Sequence, residues 1–326
     1  MNNSKPIQVI IPTITKDYIR MRDLVPARVL DNLCVNELIF IGNEELCSIV
    51  NDDVSNMYRG MSVRALNEEK LLPREPVIEC IRERVSSIDE GLASKVRGGW
   101  YYQQFLKMIF CHKCTGQFYM SWDMDTVPLR SIELFDQDDK PIFGLKSEYN
   151  PGYFKTIDTL LGLGKNIKGS FISEHMVFNR AYMEELIEYI NNSPIKGDSF
   201  WEKIIGSIDD DYISLGFSEF ETYGTFVTDR YPNSYSRNEF RSFRRGSWFV
   251  NEKDLNDDDI IWLAKDYDAI TFENAEQIQD MVQLFRNPKY RNNMSARKFY
   301  ETILESGYFG EYSEGRINAG DWYAPV

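Results

Sequence analysis

Gly99–Leu129 reads GWYYQQFLKMIFCHKCTGQFYMSWDMDTVPL. Tyr101, Phe105, Met108, Ile109 and His112 fall at helical spacing, with Gln104, Lys107 and Cys111 on a neighbouring stripe, so the first part is a helix. Thr115-Gly116-Gln117 is a tight polar turn. The aromatic-rich run Phe118-Tyr119-Met120-Ser121-Trp122 after it is a strand, and it runs out into Asp123 and Asp125, closed by Pro128.

In an extended backbone, side chains two apart point the same way, so Asp123 and Asp125 face one ligand together. Two such carboxylates repel each other, and the remedy is a hard divalent cation. Magnesium or manganese takes carboxylate oxygens and keeps positions open for phosphates. With 51 acidic residues in 326 the pattern also recurs by chance, at Asp209 to Asp211 and Asp257 to Asp259. Those two sit in polar stretches expected to be solvated turns or helix starts; only Asp123-Met124-Asp125 follows an apolar strand.

A helix carrying Gln103-Gln104 and Lys107, then a strand ending in Trp-Asp-Met-Asp-Thr-Val-Pro-Leu, resembles the central region of GT-A-fold glycosyltransferases that use nucleotide sugars, most closely the bacterial polysaccharide-locus type. The resemblance covers about Ile7 to Tyr231. It implies an α/β, Rossmann-like mixed sheet flanked by helices, a manganese or magnesium cofactor, and a nucleotide-sugar donor. It also implies a glycan or lipid-linked glycan acceptor in surface-polysaccharide (capsule) synthesis. The metal role then falls on Asp125, with Asp123 as partner and as the group approaching the donor's ribose or sugar. Gln104 and Lys107 position the strand or the phosphates.

Composition is consistent with this class. The 43% hydrophobic and 14% aromatic content can fill a substantial core. A formal net charge of −14 disfavours nucleic acid, whose phosphates are bound by lysine and arginine. The apolar run near the N-terminus is short for a signal peptide and no stretch approaches a membrane span, so the expectation is a cytoplasmic protein with at most peripheral contact at the inner face of the membrane. Five scattered cysteines fit reduced thiols. Cys111-His112-Lys113-Cys114 has no second ligand pair and belongs to the helix as packing.

Along the chain, Ile7 to Pro12-Thr13 is a strand, Asp17 to Leu33 a helix, and Glu37 to Ile41 a second strand ending at Gly42-Asn43. Ligands of such sheets collect at the carboxyl ends of the strands, which puts Pro12, Thr13 and Gly42-Asn43 near a nucleotide base. The resemblance gives the end of the first strand the same contact. A strand at Ser62 to Leu66 and a helix from Glu75 to Ser87 precede a mobile loop, Asp89 to Gly99. A strand at Pro141 to Leu145 and a helix from Tyr153 to Leu163 follow the aspartates. Ser170 to Phe178 reads as a strand in which Glu174 and His175, costly in apolar surroundings unless bonded, are acceptor-site candidates; by the resemblance this strand lies under the acceptor sugar.

Helices at Tyr182 to Ile190 and Phe200 to Ile208 are ordinary. In Gly216 to Gly224, Ser218 caps a helix with Glu219 in its first turn. The resemblance places the base of an inverting enzyme at such a position. Glu-Phe-Glu leaves Glu219 or Glu221 for that role, with Tyr223 on the same helix face beside the acceptor. Arg237 to Arg245 carries four arginines against one glutamate, and Arg244 and Arg245 are candidates for an anionic or sugar ligand. Terminal helices are expected at Ala275 to Phe285 and Ser295 to Leu304. The division is thus 1–230 for donor and acceptor and 231–326 for a mostly helical extension packed on the same domain. Two alternatives stand beside a metal-dependent, inverting transfer: a haloacid-dehalogenase-type phosphatase with Asp123 as nucleophile and Asp125 as acid/base, and a non-catalytic glycan- or nucleotide-binding module.

Overall fold

The computed structural model describes residues 7–88, 98–273, 275 and 277–307. The chain runs β1 (Ile7–Pro12), α1 (Thr15–Met21), α2 (Val25–Asn32), β2 (Glu37–Gly42), α3 (Glu44–Asn56), β3 (Val63–Asn67), α4 (Arg74–Ser86), α5 (Gly98–Ile109), β4 (Phe118–Trp122) and β5 (Thr126–Pro128). It continues with β6 (Ile142–Leu145), α6 (Pro151–Leu161), β7 (His175–Asn179), α7 (Arg180–Asn191), α8 (Phe200–Ser207) and α9 (Glu219–Arg230). The remainder is β8 (Ser236–Glu239), β9 (Ser242–Phe243), α10 (Gly246–Phe249), α11 (Asp257–Leu263), β10 (Ala269–Thr271), α12 (Gln279–Phe285), α13 (Pro288–Arg291) and α14 (Ala296–Glu305).

The main sheet has the order β3-β2-β1-β4-β7, parallel except for β7, which runs antiparallel to β4. This is the mixed α/β sheet flanked by helices that the sequence indicates. Alternation along each strand divides the core in two. Ile7, Val9 and Ile11 of β1, Leu38 and Phe40 of β2, and Phe118, Met120 and Trp122 of β4 face one side, with α1 to α3 and the C-terminal helices. Ile10, Ile39, Ile41 and Tyr119 face the other, with α4 to α9. The C-terminal segment adds strands as well: β10 pairs with β5 and β9, and β8 with β6.

Four expectations need correction. Asp17 to Leu33 is two helices, because Pro26 lacks an N–H and its ring opposes the carbonyl one turn earlier; it sits in the first turn of α2 instead. Only His175–Asn179 of the stretch Ser170 to Phe178 is strand. Ahead of it, Ser170 Oγ accepts from the Ile172 N–H at 3.0 Å and the Ser173 hydroxyl donates to the His175 carbonyl at 2.6 Å, which bends the backbone. The stretch Ala275 to Phe285 becomes helical only at Gln279. Asp259 is not solvated: it is buried between Arg286, at 2.9 Å, and Arg291, and it clamps α11 to the end of α12 and to α13. The expected mobile loop lies at 89–97, outside the described residues, while Gly98 and Gly99 open α5.

Candidate active site

A cleft of about 1020 Å³ opens where β1, β2, β3 and β4 end. Because β7 is antiparallel, its first residue meets the last of β4: His175 lies opposite Trp122. Asp123 therefore abuts Glu174, and its N–H donates to the Glu174 carbonyl at 3.0 Å. The turn after β4 is tight. Thr126 N–H donates to the Asp123 carbonyl at 3.2 Å, the Trp122 indole donates to the Thr126 carbonyl at 2.8 Å, and the Asp125 carbonyl receives the Phe272 N–H at 2.7 Å. Both carboxylates reach the cleft wall.

Helix α5 supplies the opposite face. Seven of its residues are buried, from Tyr101 to Met108 with one gap, so it is enclosed on several sides. Tyr102 donates to the Leu72 carbonyl at 2.7 Å, and Tyr119 of β4 donates to the Lys107 carbonyl at 2.9 Å. Lys107 is thereby fixed with its ammonium 3.0 Å from Asp123 Oδ1 and 2.9 Å from Glu219 Oε1. Burial opposes the charge, but the two carboxylates outweigh it and lift Lys107 above the ordinary lysine value. Gln104 Oε1 accepts the Glu219 N–H at 3.0 Å, and Gln103 donates to the Pro12 carbonyl at 3.0 Å. One helix thus ties the end of β1, Asp123 and the start of α9 together.

On the far side, Glu174 is almost wholly buried. It accepts from Lys146, and from the Ser242 hydroxyl at 2.7 Å, with Arg244 at 4.0 Å. Burial raises its pKa, yet Lys146 and Arg244 prevail and hold it down at about 2. Arg244 also pairs with Glu148 and, at 3.5 Å, with Glu273. Asp125 has no such partner. Burial, then the charges of Asp123, Glu273 and Glu174, push its carboxyl up to about 7, and Arg20 offsets only part of this.

Of the residues singled out from sequence, Pro12, Thr13, Gln104, Lys107, Asp123, Asp125, Glu174, Glu219 and Arg244 line this one cleft. Four others do not. Glu221 is buried behind α9 against the Ser170 hydroxyl, where burial pushes it up to about 7. Tyr223 is core: its hydroxyl meets Tyr235 at 2.8 Å and accepts the Asn179 N–H. His175 packs between Trp122 and Phe240, and burial lowers its pKa to about 4, so it is a neutral ring. Arg245 turns away in a left-handed conformation and lies over Trp248. A rigid one-turn offset separates Glu219 from Tyr223 along α9, but only its first turn reaches the cleft. Cys111 and Cys114 are buried in packing, as expected.

Arg20, Lys146 and Glu148 line the cleft too and were not singled out. Lys146 directly follows β6, so the strand-end rule that led to Pro12 could have found it. Nothing local marks Arg20.

The donor set suits a cation with few protein ligands. No group of three or more histidines, cysteines, aspartates and glutamates arranged for a metal occurs among the described residues. Magnesium and manganese commonly take one or two carboxylates and complete their shell with phosphates and water. Asp125, held only by the Thr126 hydroxyl at 3.3 Å and destabilised when charged, matches that pattern together with the second oxygen of Asp123. The cleft lining carries eight carboxylates against five lysines and arginines, an excess of negative charge that disfavours a bare anion.

No family model and no curated protein matches the chain. Among solved structures it is similar to the WbbM bifunctional glycosyltransferase in its apo form, at 10% identity over 92% of this chain and 52% of that one, TM-score 0.45. It is also similar to mouse xyloside xylosyltransferase 1 in its apo form, at 13% over 84% and 99%, TM-score 0.43, and to an active-site mutant of LgtC, at 10% over 92% and 96%, TM-score 0.39. The chain spans about half the length of the WbbM protein. Among the described residues no helix is long and apolar enough to cross a membrane.

Proposed function

We propose that this chain is a divalent-cation-dependent glycosyltransferase that moves a sugar from a nucleotide-sugar donor to a hydroxyl of a glycan or lipid-linked glycan, with inversion. The observation that carries the reading is the pairing of Asp123 and Asp125 at the end of β4 with Glu219 across the same cleft, joined through Lys107. The two aspartates would hold manganese or magnesium, which when bound neutralises the donor diphosphate and favours its departure. Pro12 and Thr13 border the base side, and Trp100, Tyr153 and Phe220 offer aromatic surface for a sugar.

Lys107, 2.9 Å from Glu219 Oε1, holds that carboxyl in orientation. Glu219 then takes the proton of the acceptor hydroxyl as that oxygen bonds to the anomeric carbon, and the bond from that carbon to the diphosphate oxygen breaks with its electron pair on the diphosphate. We place this chemistry in surface-polysaccharide synthesis on the cytoplasmic side of the membrane, following the sequence resemblance.

A thermal-shift screen of nucleotide sugars with and without manganese tests the reading. A donor that raises Tm only with manganese, followed by transfer to a glycan with inverted configuration, is the expected result. Stabilisation by a phosphomonoester and by no sugar nucleotide would transfer the site to the phosphatase alternative. Stabilisation without any transfer would leave a binding module.

A further inference from the structure

Five lysines and arginines line the cleft, and three are held by carboxylates: Lys107 by Asp123 and Glu219, Lys146 by Glu174, and Arg244 by Glu148 and Glu273. Arg74 is exposed at the rim, above the ring of Tyr102. Arg20 differs from the three paired cations in having no carboxylate within hydrogen-bond reach. Its side chain is 19% exposed, its nearest acid is Asp17 at 3.9 Å, too long for a hydrogen bond, and its buried Nε has no partner. An Nε–H that has left water without recovering a hydrogen bond is costly, and a ligand acceptor would offset that cost.

Its place in the fold selects the acceptor. Arg20 projects from α1, the helix that follows Pro12 and Thr13, into the cleft that Asp125 enters from β4. A group running from the end of β1 to the paired aspartates lies in the cleft that both residues line. We propose that Arg20 is the positioning residue for the donor's diphosphate, its fork taking non-bridging oxygens on the side away from the cation, with Asp17 as its loose partner until the ligand arrives. This rests on the nucleotide-sugar reading above and adds a residue that the aspartate pattern does not contain. A planar fork meets two phosphate oxygens at once, whereas a lysine offers one point of charge.

The test is equilibrium binding, with manganese present, of uridine, guanosine, adenosine, cytidine and thymidine diphosphates and of the matching monophosphates to the full chain and to R20K and R20A. For the diphosphate that binds best, R20A should raise Kd at least about tenfold and R20K about threefold or more, while monophosphate Kd changes less than about threefold. Added salt should narrow the gap between wild type and R20A. Equal diphosphate binding by wild type and R20A would overturn the assignment, and so would equal loss of mono- and diphosphate. If R20A does not fold, unchanged diphosphate binding by R20K decides against it. Should wild type bind none of the diphosphates, the glycosyltransferase reading fails first and this one with it; failure at Arg20 alone leaves that reading intact.

Discussion

Lys107 Nζ stands 2.9 Å from Glu219 Oε1, and both side chains are only 6% exposed. The same ammonium reaches Asp123, whose side chain is 31% exposed. One cation therefore holds the residue that follows β4 and the first residue of α9, which are 96 positions apart in the chain, at a shared corner of the cleft.

Removing that cation should unsettle the fold as well as the site. Lys107→Met leaves Glu219 buried without its cation opposite Asp123, and breaking a buried pair costs about 3 kcal/mol at the low end, which applies because Asp123 stays partly open to solvent. Urea unfolding measures it. Lys107→Met/Glu219→Gln should recover part of the loss, and a double variant no more stable than Lys107→Met would contradict the pairing.

Asp125 should make metal binding depend on pH. Its carboxyl titrates at about 7 in the fold, against an ordinary 3.8. Below about pH 4 it is neutral in folded and unfolded chain alike; between there and pH 7 only the unfolded chain ionises, so metal-free stability falls as pH rises and then levels off. A cation must displace that proton, so manganese affinity should climb roughly tenfold per unit up to about pH 7. Asp125→Asn should flatten both curves, raise the metal-free Tm at pH 8, and lower activity at least about a hundredfold. Manganese titrations between pH 5.5 and 8.5 decide the matter, and a pH-independent affinity would count against Asp125 as ligand.

The two glutamates of α9 should separate cleanly. Glu219→Gln should cut turnover by roughly 10² to 10⁴ with donor affinity nearly intact, because a general base acts in the transition state alone. Glu221→Gln should leave turnover within about threefold, since that carboxyl contacts Ser170 behind the helix. Retention of the donor's anomeric configuration, or full turnover in Glu219→Gln, would remove the base from this site.

Arg244 and Arg245 are neighbours with opposite prospects. Arg244→Ala frees Glu148, Glu174 and Glu273 of a shared cation, all beside the aspartates, and should weaken donor or acceptor binding at least about fivefold at low salt. Arg245→Ala should leave both Michaelis constants unchanged, because Arg245 lies over Trp248. Equal effects of the two substitutions would return the cluster to surface electrostatics.

Local pattern was enough for the elements that carry the aspartates and the start of α9. The aromatic alternation of Phe118 to Trp122, the helical spacing of Tyr101 to Ile109 and the Ser218 cap, whose hydroxyl accepts from the Glu221 N–H, depend on neighbours within a few residues and read directly. The strand-end rule found the cleft for the same reason: parallel order follows from the succession of strand and helix. Asp123 and Asp125 were legible because their spacing and their strand are contiguous.

What tertiary structure decided is which polar groups meet. Glu219 and Glu221 have the same chemistry and almost the same position in the sequence, but the helical rotation of about 200° between them sends one to Lys107 and the other to Ser170. Glu174 and His175 part in the same way: the antiparallel start of β7 gives one to Lys146 and the other to Trp122. Arg20 and Asp125 lie 105 residues apart, and only closure of the sheet between β1 and β4 brings them to one wall. Periodicity in a sequence fixes the direction of a side chain relative to its own element; its partner, and so its charge state and its use, depends on where another element is packed.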